Sequence, residues 1–243
     1  MVLADWPVLG RQSEKTTPLR DSGAFGQHGY VASAASAACR NTRPAVSTNR
    51  DFRRAGPSDA AAIAALHADS WRRHYRGAYS DAFLDGDVTA DRLAVWTDRL
   101  ARGDPGSCTI LAEDESGVIG FAHAVFDEDP TWGALLDNIH VAHRHQRRGI
   151  GSGLLAQTAE TVAGRPKATG LYLWVLEQNV EAQAFYEARA AKRVERAPVA
   201  PPGGVRGRLN GSPYKLRYAW ADPGTFPTAV ANTRHNGRSE GPA

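Results

Sequence analysis

Cysteine is nearly absent: only Cys39 and Cys108 occur in 243 residues. Two thiols cannot make the disulfide framework of a small secreted domain, so both are expected to be free thiols in a reducing compartment. Long apolar runs are missing as well. No stretch approaches the roughly 18 apolar residues that cross a bilayer, which argues against a transmembrane protein and for a cytoplasmic one. A one-sided charge is also lacking where a core would lie. The net charge is +3, yet residues 51–220 hold 21 Lys/Arg and 21 Asp/Glu, whereas residues 1–50 hold six against three. A nucleic-acid binder sets its basic patch on the folded part. Neither nucleic acid nor a membrane is therefore an expected partner.

The sequence does have enough apolar material for a core, at 42% hydrophobic residues. Residues 1–50 show no apolar period and include an Ala/Ser tract at 32–38. No apolar segment follows a basic start, so a secretory signal does not fit, and Asp5, Glu14 and Asp21 count against an organellar transit peptide. The segment reads as a disordered extension or an early start. Residues 221–243, with Pro223, Gly224, Pro227, Gly237 and Pro242, read as a second disordered tail. One domain of ordinary size is expected over 51–220.

Within it, Phe52–Ala55 predicts a short strand. Ser58 is placed as the N-cap of a helix carrying Ile63, Leu66, His67, Ser70 and Trp71 at helical spacing. Further helices are expected near Asp81 and Thr89. A hairpin is expected from Ser107–Glu113 and Val118–Phe126, then a strand over Leu135–Val141. A helix follows from Gly149 to near Gly164. Leu171–Leu176 is a buried-strand run, Asn179 caps a short helix to about Arg189, and Tyr214–Trp220 alternates as a strand. This order predicts an α/β fold with a mixed, mostly antiparallel central sheet flanked by helices.

Residues 137–155, DNIHVAHRHQRRGIGSGLL, carry the chemistry. A strand enters a basic, glycine-rich loop that runs straight into a helix. Glycines let backbone N–H groups approach a ligand, a helix N-terminus attracts anions, and Arg147 and Arg148 add full charges. The natural guest is phosphate. A dinucleotide fingerprint fails because Leu154 stands where its third glycine belongs, and a P-loop fails because Leu154-Leu155 replace Gly-Lys. His140, His143 and His145 cluster, but no Cys or carboxylate at ligand spacing completes a metal set, so no metal is expected.

Gln146-x-x-Gly149-x-Gly151 resembles the acetyl-CoA signature of the GNAT superfamily of N-acetyltransferases. The strand before it, the helix after it, and Asn179-Val180-Glu181-Ala182-Gln183-Ala184-Phe185-Tyr186-Glu187 some thirty residues on are similar to the family's arrangement. Trp71–Gly77 with Asp81–Leu84 resembles its second-helix region, so the likeness spans about 51–220. Two departures stand out. Arg147 occupies a position often held by Gly, which is harmless if its backbone angles are ordinary. Ala190-Ala191 replaces the usual Gly-Phe, which puts the turn and packing after that helix in question.

The resemblance implies acyl transfer from acetyl-CoA to a primary amine, direct and in a ternary complex. The pyrophosphate would rest on the loop of Gln146, Arg147, Arg148, Gly149, Ile150, Gly151 and Ser152. The pantetheine arm would pair with the backbone at Ile139 and Val141, and Asn179 would reach that arm or cap its own helix. Tyr186 would protonate the leaving thiolate. Asp137 and His140 are the candidate bases, and they share a face only if the strand bulges. Trp71, Tyr75 and Tyr79 line an acceptor pocket or pack the core. The alternative is a non-catalytic acyl-CoA-binding or regulatory module on the same fold. The terminal strand's apolar face either completes its own core or supports a homodimer.

Overall fold

The computed structural model describes residues 50–227. Seven strands form one sheet in the order β1-β2-β3-β4-β5-β7-β6. They are β1 (Asp51–Arg54), β2 (Ser107–Asp114), β3 (Gly117–Asp129), β4 (Gly133–Val141), β5 (Leu171–Leu176), β6 (Lys192–Pro198) and β7 (Tyr214–Trp220). All neighbours are antiparallel except β4 and β5. The expected mixed, mostly antiparallel sheet is what forms.

The helices α1 (Ala60–His74), α2 (Asp81–Asp85) and α3 (Val88–Arg102) cover one face. On the other lie α4 (Ile150–Ala163) and α5 (Val180–Glu187). Each face has its own core. Ile150, Leu154, Leu155 and Ala159 of α4 pack on Leu136, Ile139, Leu173 and Val175. Opposite them, Trp71, Tyr75, Tyr79 and Phe83 meet Leu135, Tyr172 and Trp174, while Ile63 and Trp96 meet Leu111 and Phe121. Each such large side chain stabilises the fold by about 1.5–3 kcal/mol when fully buried.

Three details differ from the sequence pattern or add to it. Ser58 does not cap α1. A single turn of tighter helix, Pro57–Asp59, precedes α1; the Asp59 side chain closes that turn by accepting a hydrogen bond from the Gly56 N–H at 2.8 Å, and α1 itself starts after Asp59 with no side-chain cap. Past the expected boundary at 220, Phe226 is buried in the α4-side core. Strand β6 was not foreseen as an element, because an exposed, charged KRVERAP edge strand carries no apolar alternation. The remaining tail assignments, residues 1–49 and 228–243, and Cys39 among them, lie outside the described residues. Among the described residues no helix is long and apolar enough to cross a membrane.

Candidate active site

Strands β4 and β5 pair in parallel through only two residue pairs, Ala134 with Leu171 and Leu135 with Tyr172. Beyond these they part. β5 stays paired with β7 and β4 with β3, so the gap lies inside the sheet. The Ala142 N–H bonds Ile119 O at 2.8 Å. By the alternation of an antiparallel ladder, His140 then spends its backbone groups on β3, while those of Ile139 and Val141 face the gap. That gap opens into a cleft of about 380 Å³, a volume suited to part of a small-molecule ligand.

The cleft brings together most of the residues named from sequence: Ile139, His140 and Val141 from β4, Gln146, Arg147, Gly149, Gly151 and Ser152 from the loop and α4, and Asn179 and Tyr186 from α5 and its cap. Helix α4 starts with no side-chain cap; its N-cap is Gly149, in the left-handed region at φ 82°. The first-turn N–H groups of a helix have no partner within it, so those of Ile150, Gly151 and Ser152 are free to bind a ligand. Gln146 shapes the loop by donating from Nε2 to Val141 O at 3.3 Å. Gly151 sits against Phe185 and Val141 with room for little more than a methyl group. Gly153 serves packing instead: a Cβ there would lie 2.4 Å from the Phe52 ring.

Arg147 does not meet the condition set for it. Its backbone lies in the left-handed region at φ 59°, which costs a non-glycine residue about 1 kcal/mol or more. Its exposed side chain lies 3.5 Å from Glu181, a solvent-screened pair of little strength. Arg148 and Ile150 do not line the cleft. The Arg148 carbonyl accepts a bond from Arg50, and the Ile150 side chain is core. Asn179 caps α5, its Oδ1 accepting from the Ala182 N–H at 3.1 Å, and still borders the cleft.

The bulge is present. His123 pairs with Asn138 but Ala124 with Leu136, which leaves Asp137 as the extra residue. Leu136 and Ile139 consequently both face α4, and Asp137 and His140 both face α1 and α3. Asp137 accepts from Arg99 at 2.8 Å and from Asn138 Nδ2 at 2.6 Å. Burial raises its pKa, with Arg99 opposing the rise. Its carboxylate lies behind β4 and does not border the cleft. His140 does border it. Its Nδ1 is 2.8 Å from Ser70 Oγ, and its ring centroid is 4.5 Å from that of His67. Burial lowers its pKa well below the usual imidazole value. Two of the clustered histidines diverge: His140 turns to α1, and His145 lies 3.3 Å from Asp114.

Tyr186 is fully buried and packs near Tyr218 and Trp220. Burial raises its phenol pKa above the usual value. Trp71, Tyr75 and Tyr79 pack together in the buried aromatic core, Trp71 stacked on Tyr75 and edge-on to Tyr79, and border no described cavity. Residues that sequence reasoning missed also line the cleft, notably His74, Phe185 and Arg189. Phe185 was visible in the quoted motif, whereas Arg189 has no local signal. Cys108 is buried on β2 with a raised pKa, remote from the cleft. A second cavity of about 490 Å³ opens beneath the end of β1 among Arg54, Arg99, His123 and Arg165, and shares no lining residue with the cleft.

A sequence profile of the Acetyltransferase (GNAT) family matches residues 68–190. The chain is 31% identical over 135 residues to a Bacillus subtilis protein named uncharacterized N-acetyltransferase YuaI, covering 54% of this chain and 74% of that one. In structure it is similar to the PaiA N-acetyltransferase of Thermoplasma acidophilum in complex with coenzyme A, with a TM-score of 0.54 and 17% identity, over 71% of this chain and all of the other. Arabidopsis thaliana NAA60, in complex with a bisubstrate analogue, gives the same TM-score and identity over 71% of this chain and 97% of that one.

Proposed function

We propose, for a chain that belongs to the acetyltransferase (GNAT) family, that the cleft between β4 and β5 binds acetyl-CoA and that a primary amine takes the acetyl group directly, in a ternary complex. The observation carrying this is the meeting of an uncapped α4 N-terminus with the gap in the sheet. One supplies donors for phosphate, the other strand backbone that lacks a partner strand, for an amide-bearing arm.

The residues present fit such a ligand. Backbone N–H groups from Arg147 to Ser152 would hold the pyrophosphate. The backbone of Ile139 and Val141 would hold the pantetheine amides as a missing strand would. When bound, acetyl-CoA supplies the thioester whose carbonyl carbon the amine attacks and whose C–S bond breaks. A backbone N–H on β4 facing the gap would polarise that carbonyl.

His140 is the better placed of the two candidate bases. It borders the cleft, burial favours its neutral form, and with Nδ1 donating its proton to Ser70 Oγ, Nε2 would be the nitrogen left to accept one. Asp137 would act through Arg99 and Asn138, as a support for β4. Burial holds the Tyr186 phenol in its protonated form, and it would donate that proton, or a strong hydrogen bond, to the departing thiolate. Trp71, Tyr75 and Tyr79 would act as the wall behind His67 and His140.

The test is calorimetric titration of the full chain with acetyl-CoA, followed by thiol release against a panel of primary amines. Binding with amine-dependent thiol release is expected. Binding without release to any amine would favour a non-catalytic acyl-CoA module, and no binding by folded protein would sink the reading.

A further inference from the structure

Arg189 lies two residues past α5, outside every motif, yet borders the cleft. Its guanidinium is held on three sides. Nη1 donates to Phe185 O at 2.7 Å, Nη2 donates to Ser152 Oγ at 2.6 Å, and its Cζ sits 3.7 Å from the Phe185 ring centroid. The backbone is pinned as well, since Trp220 Nε1 donates to Arg189 O at 2.7 Å. The next residue, Ala190, is left-handed at φ 64°.

Among the described residues, no carboxylate pairs with this arginine. Burial lowers its pKa, Tyr186 opposing the drop. A partly desolvated cation, fixed in one pose and lacking a counter-charge, is unfavourable by itself. Its anchor, Ser152, stands in the first turn of α4, where free N–H groups already favour an anion. Because Ser152 Oγ accepts from Arg189, its own hydroxyl proton is left to donate. The arginine, the hydroxyl and the helix end thus form one positively polarised wall.

We propose that Arg189 is a phosphate-binding residue, gripping the phosphates of coenzyme A from the α5 side while the first turn of α4 grips them from the other. The inference rests on the acetyl-CoA reading and adds to it a residue that no motif names.

The experiment is calorimetry of the full chain, wild type, Arg189→Gln and Arg189→Lys, with coenzyme A and with dephospho-coenzyme A. Gln keeps a hydrogen-bonding head but removes the charge. Thermal midpoints check that each variant is folded. Arg189→Gln is expected to bind coenzyme A about 10-fold more weakly or worse, and Arg189→Lys in between, in keeping with the strength of charge-assisted bonds to phosphate. If wild type prefers coenzyme A and Arg189→Gln loses that preference, the 3′-phosphate is the contact. If both ligands weaken equally, it is the pyrophosphate. Wild-type affinity in folded Arg189→Gln would overturn the proposal while leaving the acetyl-CoA reading intact. Failure of the wild type to bind coenzyme A would overturn both.

Discussion

Asp137 and His140 are three residues apart on β4 yet face the same side of the sheet, because Asp137 is the extra residue of a bulge opposite His123 and Ala124. One bulge thus supplies two polar side chains with different surroundings. Asp137 is locked to Arg99, whereas His140 reaches the cleft. The two should separate on substitution. Asp137→Asn strands the Arg99 charge and is expected to cost about 3 kcal/mol of stability, read by chemical denaturation. His140→Gln is expected to lower kcat by about 100-fold or more with little loss of stability. The reverse pattern would make Asp137 the base.

Acid should unfold this protein through its histidines. His67, His123 and His140 are all buried, and burial holds each pKa well below the unfolded value of 6.5. The unfolded chain therefore binds more protons below pH 6.5. The stability is fully present above that pH and falls as the pH drops toward the folded pKa values. Each histidine contributes a slope of up to about 1.4 kcal/mol per pH unit. Denaturation midpoints that stay flat between pH 6.5 and 5 would show these rings to be accessible to protons.

Tyr186→Phe should separate binding from chemistry. The ring keeps its place between Tyr218 and Trp220, so acetyl-CoA affinity is expected to hold while kcat falls by about 10- to 100-fold. An unchanged kcat would reduce Tyr186 to packing.

The left-handed residues give a pair with divergent outcomes. Ala190→Gly relieves strain at φ 64° and is expected to stabilise by about 0.5–1 kcal/mol, the relief being partly offset by unfolded-state entropy. Arg147→Gly relieves similar strain at φ 59° but removes a cation from the cleft. Its expected signature is a higher thermal midpoint with weaker acetyl-CoA binding. A stability loss in both would mean these backbones relax without cost.

Gly149 and Gly153 should also differ. Gly149→Ala forces a side chain into φ 82° at the start of α4 and is expected to weaken both folding and ligand binding. Gly153→Ala pushes on the Phe52 ring of β1 and is expected to cost roughly 1–3 kcal/mol with affinity kept. Titration and melting of each variant decide it.

Much of this was legible from local pattern. Leu171–Leu176 and Tyr214–Trp220 declare themselves as strands because a buried run and a strict alternation have few other homes. The phosphate loop was readable because glycines, a strand end and a helix start must coincide there. Even the bulge left a trace: the apolar phase shifts between Leu136 and Ile139, where two-residue spacing becomes three. What stayed hidden depends on distance in sequence. Arg99 meets Asp137 from 38 residues away, and Arg189 meets Ser152 from 37. Neither contact has a period or a motif to announce it. The aromatic spacing of Trp71, Tyr75 and Tyr79 suits a pocket and a core equally, and only packing separates them.

The cleft depends on a point far from its own residues. Where β4 and β5 still touch, Ala134 N donates to Gly170 O at 3.0 Å, and a Cβ on Gly133 would lie 2.3 Å from that same carbonyl oxygen. Two bare backbones press together there, and the strands spread away from them like the arms of a peg from its spring. A methyl group at Gly133 would wedge the pivot, and the displacement would grow along each arm toward Val141 and Leu176. The width of the cleft is thereby set by the absence of side chains at its far end.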